Sequence, residues 1–208
     1  SIMVSPDKKL RVSWSFWLLV LAAALVSPLL IVLSVLLAAA LHECGHLLAL
    51  RLFRVGIEQL HLSARGASLH AAGVRRLSYG RELAVTLAGP AMNLLCGTLA
   101  ALCALRFAWE DGFVLAGAHI ILCAFNLLPI PPLDGSRALY LVSAFLFGPL
   151  VGDAVAAVVG GVCALVLAGF SVWLRLETGA GTFFLLAAWA LLFGALPQLR
   201  LAKNAVRV

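Results

Sequence analysis

Charged side chains are scarce in this chain. Asp, Glu, Lys and Arg make up 12% of its 208 residues, while 63% of the residues are hydrophobic and the mean hydropathy is +1.09. A soluble domain needs a polar surface that so few charges cannot supply, so this class is excluded. Because apolar stretches of spanning length recur, we predict an all-α polytopic membrane protein that forms one domain over residues 1–208.

The sequence also lacks the patterns expected of a disulfide framework and of a cleavable signal peptide. The five cysteines form no CxxC pair, are odd in number and all fall in apolar segments, so they predict small packed side chains and no disulfide framework. The first apolar stretch is not followed by a small-residue cleavage site, so we expect no cleavable signal peptide.

Charged residues separate the apolar stretches into six predicted transmembrane helices. Their ranges are Val12–Ser27, Leu29–Phe53, Leu83–Leu105, Gly112–Leu128, Gly152–Leu174 and Thr182–Leu196. Six spans put both termini on one side of the membrane. All of the 15 basic residues except Arg106 and Arg175 fall on that side, so the positive-inside rule predicts cytosolic termini. The net charge of +6 follows from this topology and does not call for a nucleic-acid partner.

The segment Gly135–Leu150 determines this count. It is apolar but short, and Gly148-Pro149 ends it, which favours an interfacial or partly embedded helix. Counting it as a seventh span would place the basic C-terminus outside, so we favour six spans.

A metal-binding pattern, HECGH, lies inside the second predicted span at His42–His46. Two histidines four residues apart lie about 40° apart around a helix, so both imidazoles can reach one zinc ion. Glu43 can then act as general base on the attacking water. Ionisable groups in a membrane helix are costly and usually functional, so we favour this interpretation over two packed histidines beside a stray glutamate.

A third zinc ligand is predicted in the segment Asn126–Gly135, which reads NLLPIPPLDG. Its three prolines prevent a continuous helix, and irregular backbone at membrane depth is tolerated mainly where it lines a cavity. Asp134 would be the third ligand and a water the fourth, while the Asn126 amide could stabilise the oxyanion. Taken alone, the segment would be a turn in which Asp134 caps the next helix; beside HExxH it predicts a site.

Three motifs in this order resemble the site-2 protease family of intramembrane zinc metalloproteases. They are HExxH at residues 42–46, GxxxN at residues 89–93, and an N…DG segment at residues 126–135. The resemblance covers residues 29–139, which would form the catalytic core. It implies that His42, His46 and Asp134 bind one zinc ion, that Glu43 is catalytic, and that Asn126 binds substrate or the transition state.

Helix packing explains only part of the GxxxN motif. Close helix packing at Gly89, with Pro90 as a kink, accounts for the glycine. It leaves Asn93 without an evident partner. We therefore treat Gly89 and Asn93 as supporting residues of the predicted site.

Within the family, the predicted spans and the Asn126–Gly135 segment are most similar to stage IV sporulation protein FB, which trims the pro-sequence of a sporulation sigma factor. We expect no CBS domain and no PDZ domain here, and Ser136 replaces the second glycine of the frequent DGG ending. The resemblance implies a bacterial inner or forespore-type membrane and the release of a transcription factor such as a pro-sigma factor. The expected partners are a membrane-tethered protein substrate, the lipid bilayer and a candidate membrane inhibitor.

The loop between the second and third predicted spans contains a predicted β-hairpin. Ile57–Ser63 alternates apolar and polar residues, Ala64–Gly66 suits a turn, and Ala67–Ala71 can return as a second strand. An exposed edge of this hairpin would pair with an extended substrate; equally, the hairpin could only plug the mouth of the core. We interpret His61 and His70 as solvated strand residues, and His119 as a packed core histidine.

The predicted function is hydrolysis of membrane-tethered substrates near the cytosolic leaflet. The alternative is a membrane zinc transporter or sensor that uses the same ligands without hydrolysis. Transport would need polar residues leading to both faces, and Glu43 would have no role in a carrier. We therefore favour the protease.

Overall fold

The structure, a computed structural model, describes residues 11–12, 25, 27–55, 59–63, 66–70, 77–179 and 185–195. Its strands are β1 (Arg11–Val12), β2 (Gln59–Ser63) and β3 (Gly66–His70). Its helices are α1 (Leu29–Leu52), α2 (Tyr79–Phe107), α3 (Glu110–Asn126), α4 (Asp134–Phe147), α5 (Pro149–Thr178) and α6 (Leu185–Ala195). The chain forms two compact units, Ser1–Cys123 and Ala124–Val208.

Three of the described helices are long and apolar enough to cross a membrane. They are α1, α2 and α5, with 24, 29 and 30 residues. At 1.5 Å per residue, even the shortest is about 36 Å long, which exceeds a hydrocarbon core of about 30 Å. The prediction of a helical membrane protein is confirmed at this level. The count of six spans is not, because α3 has 17 residues and the described part of the last predicted span is shorter still. Most of the first predicted span, Val12–Ser27, lies outside the described residues.

Prolines and glycines set the ends of α3, α4 and α5. Helix α3 stops at Asn126, two residues before the predicted end of that span, since Pro129 disfavours helical backbone at Leu128. Helix α4 ends at Phe147, the next residue Gly148 has a φ of 92° that suits only glycine, and Pro149 then begins α5. The 14 residues of α4 are about 21 Å long, too short to span. Its interfacial position stays a prediction.

In the first unit, helices α1 and α2 approach closely through small residues. A Cβ atom added at Gly45 would lie only 2.9 Å from Cβ of Met92 and would also clash with the Ala88 carbonyl. Further along α2, a Cβ atom at Gly97 would lie 3.0 Å from Cβ of His119 on α3. Small residues let membrane helices pack with their backbones close together, and here they hold α1 and α3 against α2.

The same unit contains a three-stranded sheet in the order β1-β2-β3. Strands β2 and β3 pair antiparallel, with Gln59 opposite His70 and Ser63 opposite Gly66, where the hairpin was predicted. The turn residues 64–65 lie outside the described residues. On its other side, β2 pairs in parallel with β1 at His61 and Leu62. The pairing of a hairpin edge with a substrate stays a prediction. The sequence did not indicate β1, which is only two residues long.

The second unit is built on the packing of α4 against α5 and of α6 against α5. Its core consists of Ile130, Ala164, Ala168, Leu192 and Ala195. Ile130 belongs to the proline-rich segment, and it is fully buried beside alanines of α5. Small side chains on α5 therefore make room for the irregular backbone that precedes α4.

Candidate metal centre

His42 and His46 of α1 lie one helical turn apart with their rings edge to face. The ring planes are inclined by 81°, and the two Nε2 atoms are 3.2 Å apart. His42 is buried and His46 is half-buried. Two nitrogens that bind one tetrahedral zinc ion at about 2.0–2.1 Å lie about 3.3 Å apart. The pair therefore has the separation that two ligands of one zinc ion require.

The orientation of the His46 ring is fixed by the backbone of α2. Its Nδ1 atom lies 2.8 Å from the carbonyl oxygen of Val85. A carbonyl only accepts, so Nδ1 of His46 carries the proton and donates it. In the neutral ring, Nε2 of His46 then carries the free electron pair and faces His42. Metal-binding histidines usually donate their other ring N–H in this way.

Gly89 of α2 lies directly behind both rings. A Cβ atom at this position would be 2.8 Å from Cε1 of His42 and would clash with the His46 ring. Contacts under 3.0 Å do not occur at real Cβ atoms, so any side chain here would displace the histidines. The glycine of GxxxN thus serves the histidine pair directly, in addition to bringing two helices together.

Asn93 lies one turn further along α2, is fully buried, and bridges two histidine rings. Its amide nitrogen is 3.2 Å from Nδ1 of His42, and its amide oxygen is 3.0 Å from Nδ1 of His119 on α3. The partner that the sequence did not reveal for Asn93 is therefore a pair of histidines. The interpretation of His119 as a packed core residue was incomplete, since this buried ring is also hydrogen-bonded.

Glu43 follows His42 on α1 and is half-buried. It lies about 100° further around the helix than His42, which is where the HExxH pattern places the general base. The first unit thus holds His42, Glu43 and His46 on one helix, and Val85 and Asn93 of α2 are hydrogen-bond partners of the two rings.

Asn126 and Asp134 lie in the second unit, at the two ends of the proline-rich segment. Asn126 is the last residue of α3, and Asp134 is the first residue of α4; both are half-buried. The segment between them closes on itself, because a Cβ atom at Gly135 would lie 2.6 Å from the Leu128 carbonyl oxygen and would overlap the Leu127 carbonyl. A carboxylate at a helix N-terminus is also favoured by the helix dipole.

Helix α5 holds this segment in place. A Cβ atom at Gly160 would lie 2.7 Å from the Pro129 carbonyl oxygen and 2.8 Å from Cδ of Pro131. Within the segment, the amide of Leu133 donates to the carbonyl of Ile130 at 2.8 Å. The backbone that leads to Asp134 is therefore fixed by contacts with α5 and by its own hydrogen bond.

Sequence reasoning missed the Val85 carbonyl as a partner of His46, and it missed His119, which is linked to His42 through Asn93. A backbone carbonyl carries no signal in the sequence. His119 could be linked to Asn93 only once the packing of α3 on α2 was known, because neither residue is within helical reach of the other along the chain.

Comparisons with known proteins found a similar sequence and a similar structure. No protein-family model matches the chain. The zinc metalloprotease MJ0392 of Methanocaldococcus jannaschii is 27% identical over 135 residues, which is 62% of this chain and 39% of that protein. The chain thus spans well under half the length of this relative.

Among solved structures, the site-2 protease from Methanocaldococcus jannaschii is similar, with a TM-score of 0.69 and 20% sequence identity. The match covers 95% of this chain and 94% of that one. The chain therefore has the fold of this site-2 protease, in agreement with the resemblance of its three motifs.

Proposed function

We propose that this chain is a zinc-dependent intramembrane endopeptidase. The observation that carries this proposal is the pair of Nε2 atoms 3.2 Å apart on a helix of spanning length. The resemblance to a zinc metalloprotease supports the same chemistry. A histidine pair that served packing alone would not need Val85, Gly89 and Asn93 arranged around both rings.

In this proposal His42, His46 and Asp134 hold the zinc ion. Two imidazoles and one carboxylate are donor types that zinc binds in proteins. Such a set leaves one position of a tetrahedral ion open, as catalytic zinc sites require. The bound ion would supply Lewis acidity that polarises the scissile carbonyl.

Glu43 performs the proton transfers. Its carboxylate takes a proton from the attacking water and gives it to the leaving amine, so no net proton is gained or lost by the protein. This role requires Glu43 to stay off the metal. It also distinguishes an enzyme from a zinc carrier, in which a fourth ionisable group has no task.

Asn126 stabilises the oxyanion through its amide N–H. We expect Asn126→Ala to lower turnover by about 10²-fold or more, because removing one oxyanion donor has an effect of that size. Zinc content and substrate affinity should change little. The measurement is single-turnover cleavage of a tethered substrate beside elemental analysis; unchanged turnover would assign Asn126 a structural role only.

The substrates are membrane-tethered proteins cleaved near the cytosolic leaflet. Arg51 is the first basic residue after His46 on α1, and five residues at 1.5 Å place the metal site roughly 8 Å before it along the helix. With cytosolic termini, this depth is in the cytosolic half of the bilayer.

A helical substrate offers no free carbonyl, so it must unwind locally before cleavage. Release of a transcription factor such as a pro-sigma factor, and control by a membrane inhibitor, would fit this activity.

The test is cleavage of a membrane-tethered substrate by the purified protein in lipid vesicles, with and without a zinc chelator. We expect cleavage that the chelator abolishes and added Zn²⁺ restores. Zinc transport into the vesicles is measured in the same preparation. Transport without cleavage would overturn the proposal in favour of the carrier.

A further inference from the structure

A buried line of polar groups runs from the metal-binding pair into the centre of the first unit. It passes from His42 on α1 to Asn93 on α2 and ends at His119 on α3. Asn93 is fully buried and His119 is 1% exposed. Buried polar side chains destabilise a membrane protein unless they are hydrogen-bonded, so each member of this line depends on its neighbour.

The amide of Asn93 differs at its two ends, since the oxygen only accepts and the nitrogen only donates. Rotation of the amide by 180° exchanges the two atoms. Whichever atom faces His42, the other faces His119. The hydrogen-bonding state of one ring therefore restricts that of the other.

Two patterns of proton positions satisfy both ends of the Asn93 amide. In the first, the Asn93 nitrogen donates to Nδ1 of His42, whose proton is on Nε2 and is donated to His46; Nδ1 of His119 donates to the amide oxygen. In the second, Nδ1 of His42 donates to the amide oxygen, and the amide nitrogen donates to Nδ1 of His119. Only the second pattern leaves the electron pair of His42 Nε2 free for a metal ion.

We propose that His119 is a positioning residue which, through the Asn93 amide, fixes the ring of His42 and links the proton positions of the two rings. When His42 carries its proton on Nδ1, His119 carries its own on Nε2, and the reverse holds in the other pattern. Each ring stays neutral in both. The inference rests on the proposed function for its link to zinc, but the coupling of the two rings does not depend on it.

The first experiment measures the zinc affinity of the full-length protein by competition with a chelator. His119→Leu fills the space but leaves the buried amide of Asn93 half-satisfied, so we expect zinc binding to weaken by about 10–100-fold, as for other outer partners of metal ligands. His119→Asn places an amide where Nδ1 was and should restore most of the affinity. Cys123→Ala, one turn away on α3 and also buried, is the control for lost packing and should bind zinc normally. Equal zinc affinity in His119→Leu and the unmodified protein would overturn the proposal.

The second experiment reads the proton positions by ¹⁵N NMR of the histidine rings. In the zinc-loaded protein, we expect His119 to carry its proton on Nε2. In the zinc-free protein, His42 and His119 should carry their protons on opposite nitrogens, one on Nε2 and the other on Nδ1. Protons on the same nitrogen of both rings would overturn the coupling. If the unmodified protein binds no zinc, the proposed function fails, while the zinc-free measurement still tests the coupling.

Discussion

Replacement of Glu43 by glutamine should abolish proteolysis while zinc stays bound. Glutamine keeps the size of the side chain but cannot take up a proton, and general acid–base catalysis of this kind contributes about 10²–10⁴-fold to the rate. We therefore expect cleavage of a tethered substrate to fall by at least that factor. Zinc content by elemental analysis should remain near that of the unmodified protein.

Two further variants show whether the loss is specific. His46→Ala and Asp134→Ala remove proposed ligands, so both should lose zinc together with activity. A Glu43→Gln protein that cleaves at the normal rate would refute the mechanism. A Glu43→Gln protein that loses its zinc would instead make Glu43 a ligand.

A single methyl group at Gly89 should also disable the site. Alanine would place a Cβ atom 2.8 Å from Cε1 of His42 and against the His46 ring, so the two imidazoles cannot keep their positions. We expect zinc affinity to fall by at least about 100-fold, the upper end of what loss of an outer partner does. The measurement is chelator competition, together with thermal unfolding of the same sample.

The matched control is Gly117→Ala on α3, where an added Cβ atom would meet nothing within 4 Å. Alanine is favoured over glycine in a helix by up to about 1 kcal/mol, so this variant should be as stable as the unmodified protein or more so. It should bind zinc normally. If Gly89→Ala binds zinc as tightly as Gly117→Ala, the rings are not held as the structure indicates.

Much of the site could be predicted because its functional residues follow motifs with short spacings in the sequence. The HExxH pattern needs only helical geometry to bring His42 and His46 together, and the structure has them 3.2 Å apart. The end of α4 followed from Gly148 and Pro149 for equally local reasons. The long apolar helices α1, α2 and α5 followed from composition and length.

The remaining features depend on contacts between distant segments. Nothing near Asn93 or His119 in the sequence shows that α2 and α3 bring them within 3.0 Å. Strand β1 has two residues and no alternating pattern, so the position of β2 in the middle of the sheet could not be predicted. The number of spans stays a prediction, because apolar composition does not determine where helices such as α3 begin and end.

The contacts of Gly160 imply that the Asn126–Gly135 motif would not keep its backbone conformation in another protein. Its backbone conformation depends on Gly160 of α5, which has no side chain to clash with it, and on the burial of Ile130 among residues of α5 and α6. Grafting the sequence NLLPIPPLDG onto another membrane protein would transfer its residues but not its backbone conformation. A search for remote relatives, or the design of a minimal metalloprotease, should therefore carry the small-residue pattern of α5 together with the motif.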